Sequence, residues 1–417
     1  MVANRNKGWQ TAKLGDVIEL FDHKRVPLNS RERRERQGPY PYYGAQGIID
    51  HIDDYRFDGR YILVAEDGEN LNSRKLPLAM FADGKFWVNN HAHVLRGKAE
   101  VVDDRFLFSC LNHADIKPYV TGAAQPKLSQ ANLRLIEIPR PPLPVQRKIA
   151  GILSAYDDLI ENGTRRIRIL EEMARAICRE WFVHFRFPGH EKTKLVSSPL
   201  GPIPQGWQLE SVGDVAETFR GRSYRSGDLA DEGGLPFINL KCLDRDGGFR
   251  RSGLKRYIGE YKNSHIARKG DIVVAVTDMT QERRIVARAA WVPTLDNDCG
   301  VFSMDLLRIE PKAPLPKTYF YCFLRFSGFA DEVKQRANGV NVLHLSPDCV
   351  RQYRFAVPPS GLASRFARFV GPALDVMDTL ENQIANLRRT RDLLLPKLIS
   401  GEVDVSELDI KTGGDGG

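Results

Sequence analysis

The residues of this 417-residue chain that could do chemistry are few and scattered. His91-x-His93 would set two imidazoles on one face of a strand, but no carboxylate or cysteine stands near them in sequence, so no metal site is expected. Asp296 with Glu310-Pro-Lys312 loosely matches the spaced acids and lysine of a metal-dependent nuclease, although the proline interrupts the strand such a motif prefers. Asp157-Asp158 falls in a helical stretch and reads as a solvated face. There is no G-x-x-x-x-G-K-S/T loop, no G-x-G-x-x-G after a strand, no G-x-S-x-G elbow and no H-E-x-x-H helix. The Gly-rich cofactor loop and the Asn/Asp-Pro-Pro-aromatic motif that hold cofactor and flipped base in adenine methyltransferases are missing too. Six cysteines without a C-x-x-C pair argue against zinc and disulfide frameworks. The sequence therefore predicts no catalytic residue.

Recognition is better represented than catalysis. Lysine plus arginine total 61 against 53 acids, a formal net charge of +8 that permits a polyanionic partner. Lys24 to Arg36 holds six basic residues, among them Arg25, Arg33 and Arg34, against Glu32 and Glu35. Arg220 to Arg256 holds nine, including Arg220, Arg222 and Lys241, against five acids, and Arg283, Arg284 and Arg288 follow. Such cations position a protein on phosphates, whereas Arg, Asn and Gln side chains on loops read base edges. Candidate readers are Tyr42, Tyr43 and Gln46; Glu66, Asp67 and Asn70; Asn89 and Asn90; Gln125 and Lys127; and Thr277, Asp278, Thr280 and Gln281. Each alone is an ordinary turn or surface residue. Together, with a basic cluster near the start of each half, they point to DNA.

The elements that must carry these residues are duplicated. Gly8-Trp9-Gln10 with Leu14-Gly15-Asp16-Val17-x-Glu19 returns 198 residues later as Gly206-Trp207-Gln208 with Val212-Gly213-Asp214-Val215-x-Glu217. Ile62 to Ala65 matches Ile272 to Ala275, Gly122 to Ser129 matches Gly339 to Ser346, and Pro141-Pro142 matches Pro358-Pro359. The last two offsets are both 217, so the second interior is about 19 residues longer. Constant frames around unlike interiors are what a protein with two readers needs.

Inside each half, short apolar runs alternate with Gly-, Asp- and Asn-rich turns: Arg60 to Ala65, Lys85 to Val88, Val301 to Ile309 and Arg354 to Val357 read as strands. The expected fold is α+β, with two compact modules over about 1–140 and 200–357. After each, prolines start a helix. In the first, Ile160, Ile167, Ala174 and Trp181 recur at seven residues, with Gly163, Leu170 and Ile177 between them. Met377, Ile384, Arg391 and Leu398, with Leu380, Leu387 and Leu394, repeat the seam 217 residues on. Heptad spacing in matched register predicts an antiparallel two-helix coiled coil, with Arg391 interrupting one seam and Pro396 loosening its last turn. Two amphipathic helices, each on its own module, are the plainer alternative. A paired stretch of roughly 22–30 residues would span ~33–45 Å at 1.5 Å per residue, close to the ~34–36 Å of one DNA turn.

Taken together, these residues resemble the specificity subunits of type I restriction–modification systems. The likeness rests on Tyr42-Tyr43-Gly44-Ala-Gln-Gly47-Ile-Ile-Asp50, Asp58-Gly59-x-Tyr61-Ile-Leu-Val-Ala-Glu-Asp67-Gly68, Val88-Asn-Asn-His-Ala-His93 and Gln125-Pro-x-Leu128-Ser. It extends over Pro141-Pro-Leu-Pro-x-Gln146-x-x-Ile149-Ala150, Thr277-Asp-Met-Thr-Gln281 and Leu394-Leu-Pro-Lys-Leu-Ile-Ser-Gly401-Glu. Val145 stands where the family usually has Glu, and Pro358 to Ala363 diverges further. The resemblance implies two target-recognition domains (1–140 and 191–357) and two conserved helical regions (141–190 and 358–405), and a disordered tail (406–417) is expected after them. It also implies double-stranded DNA, two methyltransferase subunits and two translocase–nuclease subunits as partners. S-adenosylmethionine, ATP and Mg2+ would belong to those partners, not to this chain.

No run approaches the ~18 apolar residues of a membrane span, and the first residues lack the apolar core of a signal peptide. The chain is expected in the cytoplasm with reduced thiols. Two rivals stay open on the residues alone: a stand-alone nuclease using Asp296, Glu310 and Lys312, and a coiled-coil adaptor without sequence-specific DNA contact.

Overall fold

The computed structural model describes residues 9–122 and 124–410. They form two compact units, one from residues up to 162 together with 384 onward, the other from 163 to 383. Part of the tail, 411–417, lies outside the described residues, as does Gly8 of the first Gly-Trp pair.

In the first unit the strands are β1 Gln10–Lys13, β2 Ile18–Leu20, β3 Gln37–Gly44, β4 Gly47–Ile52, β5 Phe57–Asp58, β6 Tyr61–Ala65, β7 Ala79–Ala82, β8 Lys85–Val88, β9 Ala92–Gly97 and β10 Glu137–Arg140. One sheet runs β2-β9-β6-β7, a second β4-β3-β8-β5, and β1 pairs with β10. All five residues of β6 are buried, because the sheet is covered on both faces. Helices α1 Leu14–Val17, α2 Ser30–Glu35, α3 Asn70–Ser73, α4 Asp104–His113 and α5 Gln130–Leu135 decorate these sheets, and the long α6 Leu143–Phe182 leaves them.

The second unit repeats the plan. A ribbon of β11 Leu195–Val196 and β12 Ile203–Pro204 precedes β13 Gln208–Ser211, which pairs with β25 Arg354–Val357 as β1 does with β10. With β14 Ala216–Arg220, β19 Ile272–Ala275, β21 Ala289–Trp291 and β23 Leu306–Pro311, the order β14-β23-β19-β21 reproduces β2-β9-β6-β7. A five-stranded sheet of β15 Leu229–Ala230, β17 Lys255–Tyr257, β16 Leu235–Ile238, β22 Cys299–Phe302 and β18 Ile266–Arg268 matches the other. In both, the central pair is parallel, β3 with β8 and β16 with β22. The apolar run Val301 to Ile309, read as one strand, is two, β22 and β23: Ser303 to Asp305 turn between them and Ser303 Oγ accepts the Asp305 amide.

Helices α7 Val212–Val215, α8 Lys317–Phe326, α9 Phe329–Val333 and α10 Pro347–Arg351 complete the unit, and α11 Ser360–Ser400 follows. The duplication reaches single bonds. Leu14 N donates to Ile136 O at 2.7 Å, and Val212 N donates to Tyr353 O at 2.9 Å, both partners shifted consistently by the repeat.

Each long helix begins where prolines end a strand, Pro142 O accepting from Val145 and Gln146 and Pro359 O from Leu362 and Ala363. Gln146 is fully buried and ties the start of α6 to the first sheet, accepting from Asp103 N (3.0 Å) and donating to Pro141 O (2.8 Å). At the matching place in α11 the buried side chain is Ala363, so the divergent start replaces a polar latch by packing.

The two helices pack together and run antiparallel. In the first unit Val145, Ile149 and Leu153 of α6 share a core with Leu398 and Ile399 of α11. In the second, Ala174, Cys178 and Phe182 share one with Phe366, Val370 and Leu374, and the Trp181 and Phe366 rings meet edge to face at 5.8 Å. Of the seam residues, Ile160, Leu380, Ile384 and Leu398 are buried. Ile167, Leu170, Ile177, Trp181, Met377, Leu387 and Leu394 are half-buried. Pro396 does not end the helix, which continues to Ser400; Leu398 and Ile399 beyond it are buried and hold the last turn in place. The reading of two unpaired helices, each on its own module, is thereby corrected.

The repeated tryptophans close the plan. Trp207 packs on Phe182, Phe185 and Phe187 at the end of α6, and Gly401, at the end of α11, lies against the Trp9 ring with φ +75°. Lys148 Nζ donates to Ser406 O at 2.5 Å and Val405 is buried, so residues up to Ile410 of the expected tail follow the first core.

Candidate nucleic-acid interface

In each unit the buried central strand ends at a loop that pairs with the repeated Gly-to-Ser segment. In the first, Asp67 and Thr121 both bridge to Lys127, and Leu128 N donates to Glu66 O at 2.7 Å. In the second, β20 Thr277–Asp278 pairs with β24 Leu343–His344. The glycines that open these segments, Gly122 and Gly339, have φ of +87° and +147°, which an L side chain rarely adopts.

Under the first loop pair lies a charged cluster that the sequence did not reveal. His93 is 1% exposed; its Nδ1 stands 2.6 Å from Asp22 and its Nε2 2.8 Å from Leu128 O. Arg25 bridges Asp22 (3.2 Å) and Glu66 (2.6 Å) and also donates to Ala92 O at 2.9 Å. Lys127 reaches the other oxygen of Glu66 at 3.2 Å. Burial pushes the Asp22 carboxyl upward, but the bond and charge of His93, the Val94 amide and the Arg25 charge outweigh it and leave it below its ordinary value. Glu66 follows the same logic: burial raises it, and Arg25, His93 and Lys127 bring it below the usual glutamate range.

The expectation that no carboxylate stands near the two histidines is therefore corrected: the fold brings Asp22 and Glu66 to His93, and Asp67 to His91 at 2.7 Å. The oxygens and ring nitrogen of Asp22, Glu66 and His93 lie within 4.8 Å of one another, a spacing that metal ligands also adopt, yet the cation between the carboxylates is the Arg25 guanidinium.

Several candidate readers serve the scaffold. Tyr42 is 1% exposed and accepts from Leu28 N through its hydroxyl. Arg33 lies over the Tyr42 ring and pairs with Asp50 at 3.0 Å. Buried Asn70 clasps Leu76, accepting from its amide and donating to its carbonyl; buried Asn89 accepts from His91 N. Arg34, Gln46, Asn90, Gln125 and Lys127 are exposed, and Tyr43 is half-buried. The structure gathers Asn90, His91 and Lys127 around the first loop pair: Glu66 N donates to His91 O, and Arg25 makes a long contact to Asn90 O.

In the second unit Thr277 and Asp278 are buried. Asp278 accepts from the amides of Thr280, Ile285 and Val286 and from the Thr280 hydroxyl, closing the loop on itself; burial raises this carboxyl and those four bonds bring it below its ordinary value. Gln281 donates to Val340 O at 2.5 Å, linking the loop to its neighbour. Arg283 donates to Gln335, and Arg284 pairs with Glu282. Arg220 and Lys241 are exposed, and Arg222 is half-buried with its backbone bonded to Phe302 O.

Not every cation of the second basic cluster faces outward. Arg251 turns to α11, pairing with Asp378 (2.5 Å) and Glu381 (3.2 Å) and donating to Thr294 O. Arg325, only 7% exposed, pairs with Glu171 of α6 and donates to Tyr321 and Gly247 O. Both ties fasten the second module to the helices. Sequence alone does not separate a latch arginine from a phosphate-binding one, because the distinction lies in which acid folds opposite it.

The loose nuclease constellation is dispersed. Asp296 pairs with Arg256, Glu310 lies on β23 with Arg308 and Lys317, and Lys312 donates to backbone carbonyls of Gly213 and Asp214. Among the described residues no helix is long and apolar enough to cross a membrane.

The model of the type I restriction modification DNA specificity domain matches this chain twice, over residues 6–172 and 204–387. The chain belongs to that family. A specificity subunit is a DNA-recognition component and not an enzyme, which fits a site built for contact. A Haemophilus influenzae protein provisionally named as a type I restriction enzyme specificity subunit is 27% identical over 375 residues, covering 89% of this chain and 88% of its own length. The MjaIX specificity subunit of Methanocaldococcus jannaschii is 29% identical over 304 residues, covering 70% and 66%. The crystal structure of an S subunit from M. genitalium shares the fold, with a TM-score of 0.65 at 16% identity over 96% of this chain and 98% of that one.

Proposed function

We propose that this specificity subunit reads a bipartite DNA site, each module reading one half, while the paired helices fix the spacer and dock methyltransferase subunits. One observation carries this reading: two units with one sheet of the same strand order, a second sheet with the same parallel central pair, and the same loop pair, built around interiors of unlike sequence and length. A shared frame delivers each module in the same way, and the differing loops give each half-site its own bases.

Gln46, Asn90, Gln125, Lys127, Thr280, Gln281 and Arg284, all exposed, are the side chains proposed to meet bases, and the exposed Arg34, Arg220 and Lys241 those proposed to meet phosphates. Two methyltransferase subunits, and two translocase–nuclease subunits where the system restricts, complete the assembly in the cytoplasm. S-adenosylmethionine, ATP and Mg2+ are bound by those partners.

The test is a module exchange. Residues 20–135 are replaced by the matching stretch of a relative with another specificity, and methylated positions are mapped across a genome. The expected outcome is a new first half-site with the second half and spacer kept. A change in both halves together would overturn modular reading.

A further inference from the structure

The loop pair of the second unit carries a feature that base reading by polar side chains does not explain. Met279 and Val340 stand at the tips of its two loops, 67% and 89% exposed. Single exposed apolar residues are ordinary. These two sit on neighbouring loops that are held stiffly. Asp278 gathers three amides and a hydroxyl of the 280–286 loop, and Gln281 reaches across to Gly339 O and Val340 O. Below them β20 and β24 pair, and Asn338 bridges to His344. Gly339 permits the turn, since a Cβ there would collide with the Val342 carbonyl.

Arg283 and Arg284 lie on one loop and Arg336 near the other; Arg283 donates to the neutral Gln335, Arg284 pairs with Glu282, and Arg288 and Lys334 are both held by Asp331. Two apolar tips are too few for the buried centre of a protein interface. A stiff apolar point with Arg283 and Arg284 on the same loop fits a different ligand, a stacked base step flanked by phosphates.

We infer that Met279 and Val340 form a wedge that inserts at a base step of the half-site read by the second unit, unstacking it while the neighbouring arginines hold the phosphates. This deepens the DNA-reading function proposed above and rests on it. Specificity would then come partly from how readily a step opens, which favours pyrimidine–purine steps.

The experiment uses the assembled complex of this chain with its methyltransferase subunit. The recognised motif is first mapped from genomic methylation. Duplexes then carry 2-aminopurine at successive positions of the second half-site, away from the methylated adenine. For the native chain, fluorescence should rise on binding at one step. In the M279S/V340S variant that rise should vanish and affinity for the motif should fall about tenfold or more, with the first half-site unaffected. Both side chains are exposed, so an unchanged thermal melt serves as the folding control.

No rise at any step, or a rise that survives the double substitution, would overturn the wedge while leaving DNA reading in place. Loss of methyltransferase assembly in the variant, with binding otherwise kept, would assign the tips to a protein contact and overturn it likewise. Failure of the native complex to prefer its mapped motif over a scrambled duplex would remove the DNA-reading function, and the wedge with it.

Discussion

Arg391 sets its guanidinium 2.6 Å from the carboxylate of Asp157, joining α11 to α6 within the first unit. The arginine that breaks the heptad seam is thus answered by an acid on the facing helix, one of a pair read from sequence as merely solvated. An ion pair across an antiparallel seam fixes register, because a one-heptad slip would leave both charges without each other.

A double-mutant cycle measures that pairing. Asp157→Ala and Arg391→Ala should each lower the urea midpoint, and the double substitution should cost less than their sum. Both side chains are partly exposed, at 48% and 31%, and Arg391 also pairs with Asp392, so the coupling is expected at about 0.5–1 kcal/mol. In 1 M salt, where screening acts within about 3 Å, it should shrink. A coupling indistinguishable from zero at low salt would mean that the seam alone sets the register.

The cluster under the first loop pair gives a pH signature. Asp22 and Glu66 both titrate below their ordinary values of 3.8 and 4.5, so the folded state holds fewer protons than the unfolded chain. Their stabilisation is fully present above the unfolded values and is lost as pH falls through the lower folded ones. Protection factors of segments 60–70 and 121–129, with the intrinsic pH dependence of amide exchange divided out, should therefore hold from pH 7 to about 5 and fall below about 4. Asp22→Asn takes one of two carboxylates from Arg25, which keeps Glu66, a change of about 1–3 kcal/mol, and should loosen those segments already at neutral pH. Equal protection in the variant and the native chain would show that the cluster does not hold the loop.

Much of the architecture was legible because the duplication repeats landmarks with structural duties. The repeated tryptophan packs at a helix end, the four-residue apolar run is a central strand, and the paired prolines start the long helices. The heptads at Ile160 and Met377 gave the pairing because a period near seven only makes sense against a second helix. What could not be read was partnership across long sequence distances. Arg25 looked like a phosphate ligand until Asp22 and Glu66, 41 residues from it in the second case, closed around it. Arg251 looked the same until Asp378 arrived from 127 residues away. Composition shows that a cation is present, but only the fold shows what neutralises it.

The two loop-opening glycines permit a direct comparison of the repeats. A Cβ on Gly122 would land on the Gln125 carbonyl and one on Gly339 on the Val342 carbonyl, both backbone atoms that cannot swing away. Gly122→Ala and Gly339→Ala should each destabilise their own unit by about 1–3 kcal/mol, and each should weaken reading of a different half-site. Competition binding with duplexes altered in one half at a time reads this out. If either alanine weakened both half-sites equally, the loop pairs would not be independent readers.

The helices supply the last expectation, since their length is proposed to act as a ruler. Seven residues are added to α6 within 160–181 together with seven at the facing place in α11, so that the antiparallel seam keeps its register. Two turns add about 10.5 Å at 1.5 Å per residue, which is about three base pairs of duplex at 3.4 Å each. Methylation mapped in cells carrying the lengthened chain should then show both half-sites unchanged and the spacer longer by about three base pairs. Complete loss of methylation would also follow from a ruler, because three base pairs rotate one half-site by nearly a third of a turn relative to the other. The two cases separate with synthetic duplexes of every spacer length, in which a ruler must shift the preferred spacer. An unchanged preference with full binding would show that the spacing is set elsewhere.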